Sequence, residues 1–574
     1  MTTPLDAPAV AKLLTEIGQR LELANESPFK VRAYYAAAES LYALPEPLHQ
    51  LVAKRKLREL PGIGEALAEK IIRLHLSGTH PTLEFLREQM PSGVLDLLKV
   101  SGLGPKKVSI LYKDLKVSSL DELEAACRAG RLRDCKGLGA ALEKKVLQNL
   151  EFLRKAQGFL LVHQAEELAQ SVCDSLRAER PGLRRVLPAG TLRRGCELVD
   201  DLCLVAEAAG PEPVKSFVYG GLPVLVSSPQ RYGAVLLHAT GSAKHWEELR
   251  ALAASKGLKL SEEGLWRGAE EFPCGDEEAV YSALGLPFIE PELREGLGEI
   301  GLAAAGSLPV LLRNEDIRGI LHCHTDFSDG MSTLPAMAEA VRARGCQYFG
   351  VAEHSRSAGY AGGLREEEIR EQHKLIEDLN ANYARGTGVS PVSEEPFRIL
   401  KGIESDILED GALDYPPEIL RRFDFIVASI HSRLNLDKQA QTARIVAAVA
   451  NPHTAMLGHI SGRLLLQREA YSLDTEEVLK ACGRHGVAVE INAHPHRLDL
   501  DWRWHRRALE LGCMLSVNPD AHSIPELDTV RWGVAVARKG GVPKERVLNC
   551  LNLEEITKWL EARRRRAETA DERR

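Results

Sequence analysis

The sequence predicts a multidomain protein of the α and α/β classes: helical at the start, mixed in the middle, and built from parallel β/α units at the end. At 574 residues the chain exceeds what one hydrophobic core usually organises, and its 44% apolar content supports folded domains throughout. Apolar residues recur at helical spacing over residues 1–155. From residue 316 onward, short apolar strands alternate with helical segments, which indicates parallel strands joined by helices.

Charge and cysteine usage restrict the protein's class. The net charge of −7 argues against coating nucleic acid by bulk positive charge, so any nucleic-acid contact must be local. The 11 cysteines form no CxxC pair, which indicates reduced thiols rather than disulfides or a zinc ribbon. Neither a membrane-spanning apolar run nor a secretory leader pattern occurs. We therefore expect a cytoplasmic protein that does not contact membranes, and its oligomeric state stays open.

The helical region 1–155 contains the pattern Gly-apolar-Gly three times, each time between two helices. The copies are LPGIGEALAEKI, VSGLGPKKVSIL and CKGLGAALEKKV. Glycines there permit positive φ, and the N–H groups that open the second helix can bind a phosphate. One copy would be an ordinary helix cap, whereas three copies resemble helix-hairpin-helix DNA-binding motifs. The predicted DNA-binding residues are Gly62, Gly64, Gly102, Gly104, Lys106, Lys107, Gly137 and Gly139.

The middle region, residues 156–290, mixes helix and strand patterns and contains two groups of phosphate-binding residue types. The first is Gly190-Thr191 followed by two arginines, and the second is Thr240-Gly241-Ser242 followed by a lysine. A solvated or structural loop is the alternative interpretation of both. Residues 291–315, rich in Pro and Gly, predict a linker to the last domain, residues 316–574.

Side chains of metal-ligand type end nearly every predicted strand of residues 316–574. In a β/α barrel these strand ends form one rim, where catalytic residues lie. A single histidine at a strand end is usually structural, but six at successive ends are not explained that way. His322 and His324, spaced i, i+2, would project from one side of an extended chain. The predicted catalytic and metal-binding set is His322, His324, Asp329, His354, Glu404, His431, His459, Asp520 and His522.

Six histidines and three carboxylates are too many ligands for one four-coordinate ion and are enough for two or three divalent ions. Imidazole and carboxylate ligands without thiolates suit zinc, manganese or iron, and the sequence does not choose among them. A cluster of this kind activates a water and neutralises the charge of an attacked phosphodiester.

The motifs LHCHTDFSDG, AEHS, KGIESDIL, ASIHS, GHISGRLL, EINAHPHRLDL and PDAHS resemble the ordered motifs of the polymerase-and-histidinol-phosphatase (PHP) domain. The resemblance covers roughly residues 316–550. It implies a distorted (β/α)₇ barrel in which the nine residues line a trinuclear metal site. It also implies that Arg463, as a further catalytic residue, and Arg497 lie near the substrate phosphate. Glu353 stands where the family has Asp, and we expect little consequence.

Over the whole chain, the order of motifs resembles the bacterial family X DNA polymerases. Their pattern GSxRRxxExxxDxD begins here at Gly190 and places its second aspartate at Cys203. A third aspartate is expected near Pro223, yet no Asp lies between Asp201 and Asp276. One carboxylate with a thiol is a poor ligand set for Mg²⁺, so we expect no metal in this palm-and-thumb region and weak or absent templated polymerisation. The predicted vestigial nucleotide-binding residues are Thr191, Arg193, Arg194, Asp201, Gly241 and Ser242.

The leading hypothesis is a DNA-repair nuclease: a metal-dependent 3′ to 5′ exonuclease or 3′-end phosphoesterase that acts on gapped or primer-template DNA ends. Three alternatives stay open. The protein could be a gap-filling polymerase with an accessory barrel, or a DNA-end-binding scaffold with structural metals. The barrel could also hydrolyse a small phosphate ester, which the three upstream DNA-binding motifs disfavour.

Overall fold

The computed structural model describes residues 4–42, 44, 47–60, 62–100, 102–135, 137–209, 215–385 and 396–571. The chain forms two compact units, Met1–Gln157 with Leu466–Arg468, and Gly158–Leu465 with Glu469–Arg574. No helix in these described ranges has the length and apolarity needed to cross a membrane.

The first unit is helical, as its apolar spacing predicts. Its helices bury two apolar clusters, one formed by residues between Val10 and Leu86 and a second formed mainly by residues between Met90 and Leu150. The helices are α1 (Ala7–Leu23), α2 (Pro28–Tyr42), α3 (Leu48–Lys54), α4 (Glu65–Ser77), α5 (Pro81–Gln89), α6 (Gly93–Asp96), α7 (Pro105–Leu115), α8 (Leu120–Arg128) and α9 (Ala140–Lys155).

The second unit begins with a mixed α/β region. Strands β2, β4, β6 and β5 pair in that order into one sheet, strands β7 to β9 form an antiparallel sheet, and β1 pairs with β3. The elements are β1 (Leu160–Leu161), α10 (Val162–Glu179), β2 (Leu183–Ala189), β3 (Leu198–Val199), β4 (Cys203–Ala208), β5 (Phe217–Tyr219), β6 (Leu222–Ser227), α11 (Tyr232–Thr240), α12 (Ala243–Ser255), β7 (Lys259–Ser261), β8 (Gly264–Arg267), β9 (Glu270–Phe272), α13 (Glu277–Ala283) and α14 (Glu299–Ala304).

The predicted domain limits stay predictions, including the linker over residues 291–315. That segment contains α14 and buries Arg294, Glu299 and Leu312. It therefore packs against the rest of the second unit.

The remainder of the second unit is a seven-stranded parallel sheet in chain order, β10 to β16. A bridge between Cys323 and Ala521 joins the two outer strands, so the sheet is nearly a closed barrel. This confirms the predicted (β/α)₇ fold. The elements are β10 (Gly319–Cys323), α15 (Leu334–Ala343), β11 (Tyr348–His354), α16 (Glu366–Ala384), β12 (Arg398–Asp406), α17 (Pro417–Leu420), β13 (Phe425–Ser429), α18 (Lys438–Ala450), β14 (Met456–Leu457), α19 (Thr475–His485), β15 (Ala488–Asn492), α20 (His505–Glu510), β16 (Leu515–Asn518), α21 (Val530–Lys539) and α22 (Leu553–Asp571).

The barrel interior changes from apolar to polar along its strands. Gly350 of β11 and Gly402 of β12 leave room for the Phe425 ring, because a Cβ at either glycine would lie within 2.8 Å of that ring. Side chains alternate between faces along a strand, so His354 shares its face with Gly350, and Glu404 shares its face with Gly402. On β11 and β12, a glycine that packs against an apolar ring is thus followed on the same face by a metal-ligand side chain.

Candidate metal centre

The structure brings the nine predicted ligands together at the carboxyl ends of the barrel strands. Eight of them form three overlapping groups, and within each group the ligand atoms lie within 4.8 Å of one another. The ninth, His459, joins through Glu404, because its Nε2 lies 2.9 Å from a Glu404 oxygen. The three groups are His324, Asp329, His354 and His522; His322, His324 and Asp520; and His354, Glu404 and His431.

Glu404 is the centre of this cluster. Its side chain is buried, and its two oxygens lie 2.9 Å from a ring nitrogen of His354 and 3.3 Å from ring nitrogens of His322 and His431. One carboxylate thus lies close to imidazoles from three different strand ends. This position follows from the strand face that Glu404 shares with Gly402.

Two ligands adopt a backbone conformation that residues other than glycine rarely take. His322 has φ 56° and Asp520 has φ 52°, both in the left-handed region. The pairing of β10 with β11 shifts register between Ile320 and Cys323, so β10 is not the regular extended strand that the spacing of His322 and His324 suggested. Such conformations cost about 1–3 kcal/mol each and cluster at functional sites, which supports a functional role for this rim.

Sequence reasoning missed two buried carboxylates that orient the ligands. Glu490 lies 2.5 Å from Nδ1 of His322 and accepts a hydrogen bond of 2.7 Å from the backbone N–H of His459. Asp406 lies 3.1 Å from Nδ1 of His431. Carboxylates that hold the second nitrogen of a metal-binding histidine fix its ring orientation and tautomer. The signal for Asp406 was the alternation along β12, since Asp406 lies two residues after Glu404.

Glu353, where the PHP family has Asp, is fully buried beside this cluster and binds the loop that carries Asp329. It accepts hydrogen bonds from the Thr325 N–H at 3.0 Å, the Ser328 hydroxyl at 2.5 Å and the Gln372 amide at 3.1 Å. Burial raises the pKa of this carboxyl to about 7, against the opposing effect of those hydrogen bonds. Glu353 therefore anchors a ligand-bearing loop without being a ligand itself.

Carboxylates raise the pKa values of the neighbouring imidazoles within the cluster. Burial alone would lower the pKa of His354, but Glu404 and Asp329 raise it to about 10. For His431, the carboxylates Glu404 and Asp406 overcome burial and raise the pKa to about 9. The metal-free cluster thus contains imidazolium groups held by ionised carboxylates.

The donor set fits divalent ions. Among the described residues, His322 Nε2, His324 Nδ1 and His459 Nδ1 are buried and have no hydrogen-bond partner. Buried polar atoms in native proteins are nearly always satisfied, so these imidazole nitrogens fit a role as ligands of a cation. Imidazole and carboxylate ligands without thiolates agree with zinc, manganese or iron.

The two arginines that the PHP resemblance places near a substrate phosphate differ in position. Arg497 lies at the cluster, with its Nε 3.8 Å from Asp520. Arg463 instead binds the neighbouring loop: it donates to the carbonyl of Arg497 at 2.9 Å and pairs with Asp501 at 2.7 Å. The structure therefore gives Arg463 a role in holding the backbone that carries Arg497.

The arginines predicted to contact nucleotide in the middle region are paired with glutamates. Arg193 forms a two-pronged ion pair with Glu277, at 2.7 and 2.6 Å. Arg194 is buried, donates to Glu295 at 2.9 Å and donates to the Thr240 carbonyl at 2.6 Å. These partners use part of each guanidinium's set of donors.

The remaining predicted nucleotide-binding residues also have intramolecular partners. Thr191 donates through its N–H and its hydroxyl to Asp201, at 2.5 and 2.6 Å. Ser242 caps α12 by accepting from the His245 N–H at 3.1 Å, and the Gly241 N–H donates to the Leu237 carbonyl at 2.9 Å, closing α11.

Cys203 begins β4, directly beside the expected position of the third aspartate. Leu204 of β4 pairs with Val224 of β6, so the preceding residues, Cys203 and Pro223, are neighbours across the sheet. Burial, reinforced by Asp201, raises the pKa of the Cys203 thiol to about 11. A neutral thiol beside a proline offers no charged oxygen to a metal ion.

Contacts within the second unit connect the same motif to the barrel. Glu197 accepts hydrogen bonds from the Trp502 indole at 3.0 Å and from Arg503 at 2.8 Å. Lys539 of α21 is buried, pairs with Glu295 and donates to the Arg194 carbonyl at 3.2 Å. Residues of the polymerase-like motif thus hold the mixed α/β region against the barrel.

In the first unit, the three Gly-apolar-Gly copies share one geometry. Each first glycine has positive φ, at 74°, 91° and 90°, and each second glycine precedes the first residue of α4, α7 or α9. Pro61, Ser101 and Lys136, the residues before the first glycines, lie outside the described residues. Lys107 donates to the Gly102 carbonyl at 2.8 Å, whereas Lys106 is exposed. The first glycines are Gly62, Gly102 and Gly137, and the second are Gly64, Gly104 and Gly139.

Comparison with known proteins agrees with this organisation. The chain is 33% identical over 580 residues to a protein of Bacillus subtilis (strain 168) named DNA polymerase/3'-5' exonuclease PolX, covering 96% of this chain and 98% of that protein. The chain belongs to the PolX family. This confirms the family resemblance inferred from the motifs.

Family models and shorter relatives match individual regions of this PolX-family chain. A probable phosphatase of Thermoanaerobacter sp. (strain X514) is 27% identical over 37% of this chain and 94% of its own length. A probable phosphatase of Caldanaerobacter subterraneus subsp. tengcongensis is 27% identical over 31% of this chain and 71% of its own length. The matching family models are a helix-hairpin-helix domain at 6–80, a SAM-like helix-hairpin-helix tandem at 94–151, a DNA polymerase beta thumb at 235–295 and a PHP domain at 321–494.

Proposed function

We propose that the protein is a metal-dependent 3′ to 5′ exonuclease or 3′-end phosphoesterase acting on gapped or primer-template DNA ends, with its chemistry in the PHP barrel. The proposal rests on the clustering of the nine predicted ligands, with Glu404 at the centre of the cluster. The substrate class is supported by the helix-hairpin-helix matches and by the name of the Bacillus relative.

Within this proposal, each group of the cluster has a role that its contacts support. The nine ligands would hold two or three ions of zinc, manganese or iron, and Glu404 contacts the histidines around it. Bound divalent ions supply an activated water and neutralise the charge that develops on the attacked phosphate. Glu490 and Asp406 keep the rings of His322 and His431 turned toward the cluster.

Arg497 is the side chain best placed to bind the substrate phosphate. Its guanidinium lies beside Asp520 and has donors suited to two phosphate oxygens. Arg463 positions it, because Arg463 donates to the Arg497 carbonyl. Of the two arginines expected near the substrate phosphate, we therefore assign direct binding to Arg497 and a positioning role to Arg463.

Templated polymerisation by the middle region is a second candidate, and we propose that it is weak or lost. The match to a polymerase beta thumb and the first half of the Bacillus relative's name favour it. Against it, Arg193 and Arg194 are paired with glutamates, and Cys203 lies beside Pro223 where two carboxylates are expected.

The test is Mn²⁺-dependent processing of a 5′-labelled primer on a gapped template, with and without dNTPs. We expect stepwise shortening from the 3′ end that does not depend on dNTPs. Removal of a group that only orients a metal ligand lowers activity about 10- to 100-fold. The double variant His322→Ala, His324→Ala removes two ligands, so its activity should fall by more than that. Its matched control is His485→Ala, which removes an exposed histidine of the same barrel.

Three results would separate the alternatives. Lengthening that requires dNTPs would favour the polymerase. Tight binding of gapped DNA without hydrolysis in Mn²⁺ or Zn²⁺ would favour a scaffold with structural metals. Unchanged shortening by the double variant would contradict the assignment of the chemistry to the barrel.

A further inference from the structure

Two exposed apolar side chains stand at the mouth of the metal cluster. Among the described residues from 316 onward, the large apolar side chains that remain exposed are Tyr360, at 75%, and Met331, at 59%. A single exposed apolar residue is normal on a protein surface. Both of these, however, lie on loops that follow barrel strands and adjoin proposed ligands.

Tyr360 lies directly beside two imidazoles of the cluster. Its ring centroid is 6.2 Å from that of His354 and 6.5 Å from that of His431. These are aromatic contact distances, and they leave most of the tyrosine ring open to solvent. A flat molecule that reached the cluster would therefore meet this ring.

The loop that carries Tyr360 is fixed by contacts at both ends. Leu364 donates its N–H to the His354 carbonyl at 2.9 Å, and Ser357 donates its N–H to Asp414 at 2.6 Å. Ala358 and Ala361, on either side of the tyrosine, are buried. The exposed ring is thus presented by an ordered turn, which lowers the entropy lost when a ligand packs on it.

Met331 stands next to another ligand of the same cluster. Its N–H donates to the His522 carbonyl at 2.6 Å. Asp329 lies between His354 and His522, with carboxylate oxygens 3.5 Å and 3.3 Å from their ring nitrogens. The rim therefore places a tyrosine ring beside one part of the cluster, and the backbone of an exposed methionine beside another.

We propose that Tyr360, assisted by Met331, is a stacking platform for an unpaired nucleobase next to the phosphate that the cluster attacks. The inference deepens the proposed function, on which it rests for the hydrolysis, and specifies its substrate class as a nucleic-acid end whose last bases are splayed from the duplex. Every base has a flat π face, so the platform accepts any sequence. A small phosphate ester without a ring gains nothing from it.

The kinetic test compares two 5′-labelled single strands that differ only in the last two residues, which carry bases in one and are abasic in the other. In the unaltered protein, kcat/KM for the strand with bases should exceed that for the abasic strand by about 5- to 150-fold. Tyr360→Ala should reduce this ratio to near 1, whereas Tyr360→Phe, which keeps the ring, should preserve it. Val310→Ala truncates another exposed apolar side chain and is the control.

A binding readout separates this inference from the proposed function. Stacking of a 3′-terminal 2-aminopurine on an aromatic ring quenches its fluorescence, and this is measured in EDTA, where no hydrolysis occurs. Quenching by the unaltered protein and by Tyr360→Phe, but not by Tyr360→Ala, would support the platform even if no DNA were shortened. Equal quenching by all three proteins, or an equal loss of kcat/KM on both strands in Tyr360→Ala, would overturn it.

Discussion

Loading the metal-free cluster at pH 7 should release about three to four protons. The pKa of His354 is raised to about 10 and those of His431 and His522 to about 9, in each case by carboxylates acting against burial. The pKa of His322 is raised well above its usual value by Glu490 and other carboxylates against full burial. The three rings with pKa values of about 9 to 10 are therefore protonated at pH 7, and each must lose a proton to bind an ion; His322 shifts in the same direction.

The sign of the pH dependence follows from these raised values. Charged imidazoles stabilise the folded metal-free protein below the unfolded histidine pKa of about 6.5, and this contribution is lost as pH rises through 9 to 10. Metal affinity changes in the opposite sense. For a complete cluster, the overall binding constant should rise by about 10³- to 10⁴-fold between pH 7 and 8 and level off above pH 10.

A pH indicator in weakly buffered solution measures the released protons during titration with Mn²⁺ or Zn²⁺. His522→Ala should release about one proton fewer, and His485→Ala should release as many as the unaltered protein. Release of less than about one proton for the whole cluster would mean that its imidazoles are neutral before the ions bind. The reasoning from the carboxylate pairs would then be refuted.

Three further predictions concern single side chains. Glu490→Gln should weaken metal binding about 10- to 100-fold, measured by competition with a fluorescent chelator, because the imidazole that it orients loses its charged partner; unchanged affinity would contradict the role. Glu295→Ala should lower the free energy of unfolding in urea by about 3–5 kcal/mol, since it leaves the buried Lys539 ammonium without a carboxylate, and Lys539→Met should cost less; equal losses would argue against this. Cys203→Asp alone should not produce dNTP-dependent primer lengthening, because the neighbouring strand still carries Pro223; lengthening would show that one added carboxylate is enough.

The β/α pattern and the PHP resemblance together predicted the barrel, and the predicted ligands lie together in it for a topological reason. Parallel strands joined by helices all end at the same rim, so residues far apart in the chain meet if they close successive strands. His354 and Glu404 are such residues, at the ends of neighbouring strands β11 and β12. Strand positions and residue types gave the candidate ligands, and the PHP resemblance gave the barrel type.

The two carboxylates that orient the ligands could not be assigned from the sequence, because residue type does not distinguish a ligand from the group that orients it. Asp406 shares the end of β12 with Glu404, and Glu490 lies on the neighbouring part of the rim, on β15, so only side-chain direction separates their roles from those of ligands. The partners of Arg193 were hidden for a different reason. Glu277 is 84 residues away in the chain, and no local pattern joins the two.

The polymerase-like motif is retained in this chain where its residues bind other parts of the protein. Arg194 and Glu197 are present, and both contact groups that connect the mixed α/β region to the barrel. Cys203 stands where the family pattern has a metal-binding carboxylate. A carboxylate at this position would lie close to Asp201, and its neighbour on the next strand would be Pro223. Without an ion, two adjacent carboxylates repel each other, so under the proposed loss of polymerisation the replacement removes that repulsion. The surviving motif is better explained as an interface that steadies the barrel than as an impaired nucleotide site, which is why we place the chemistry at the metal cluster.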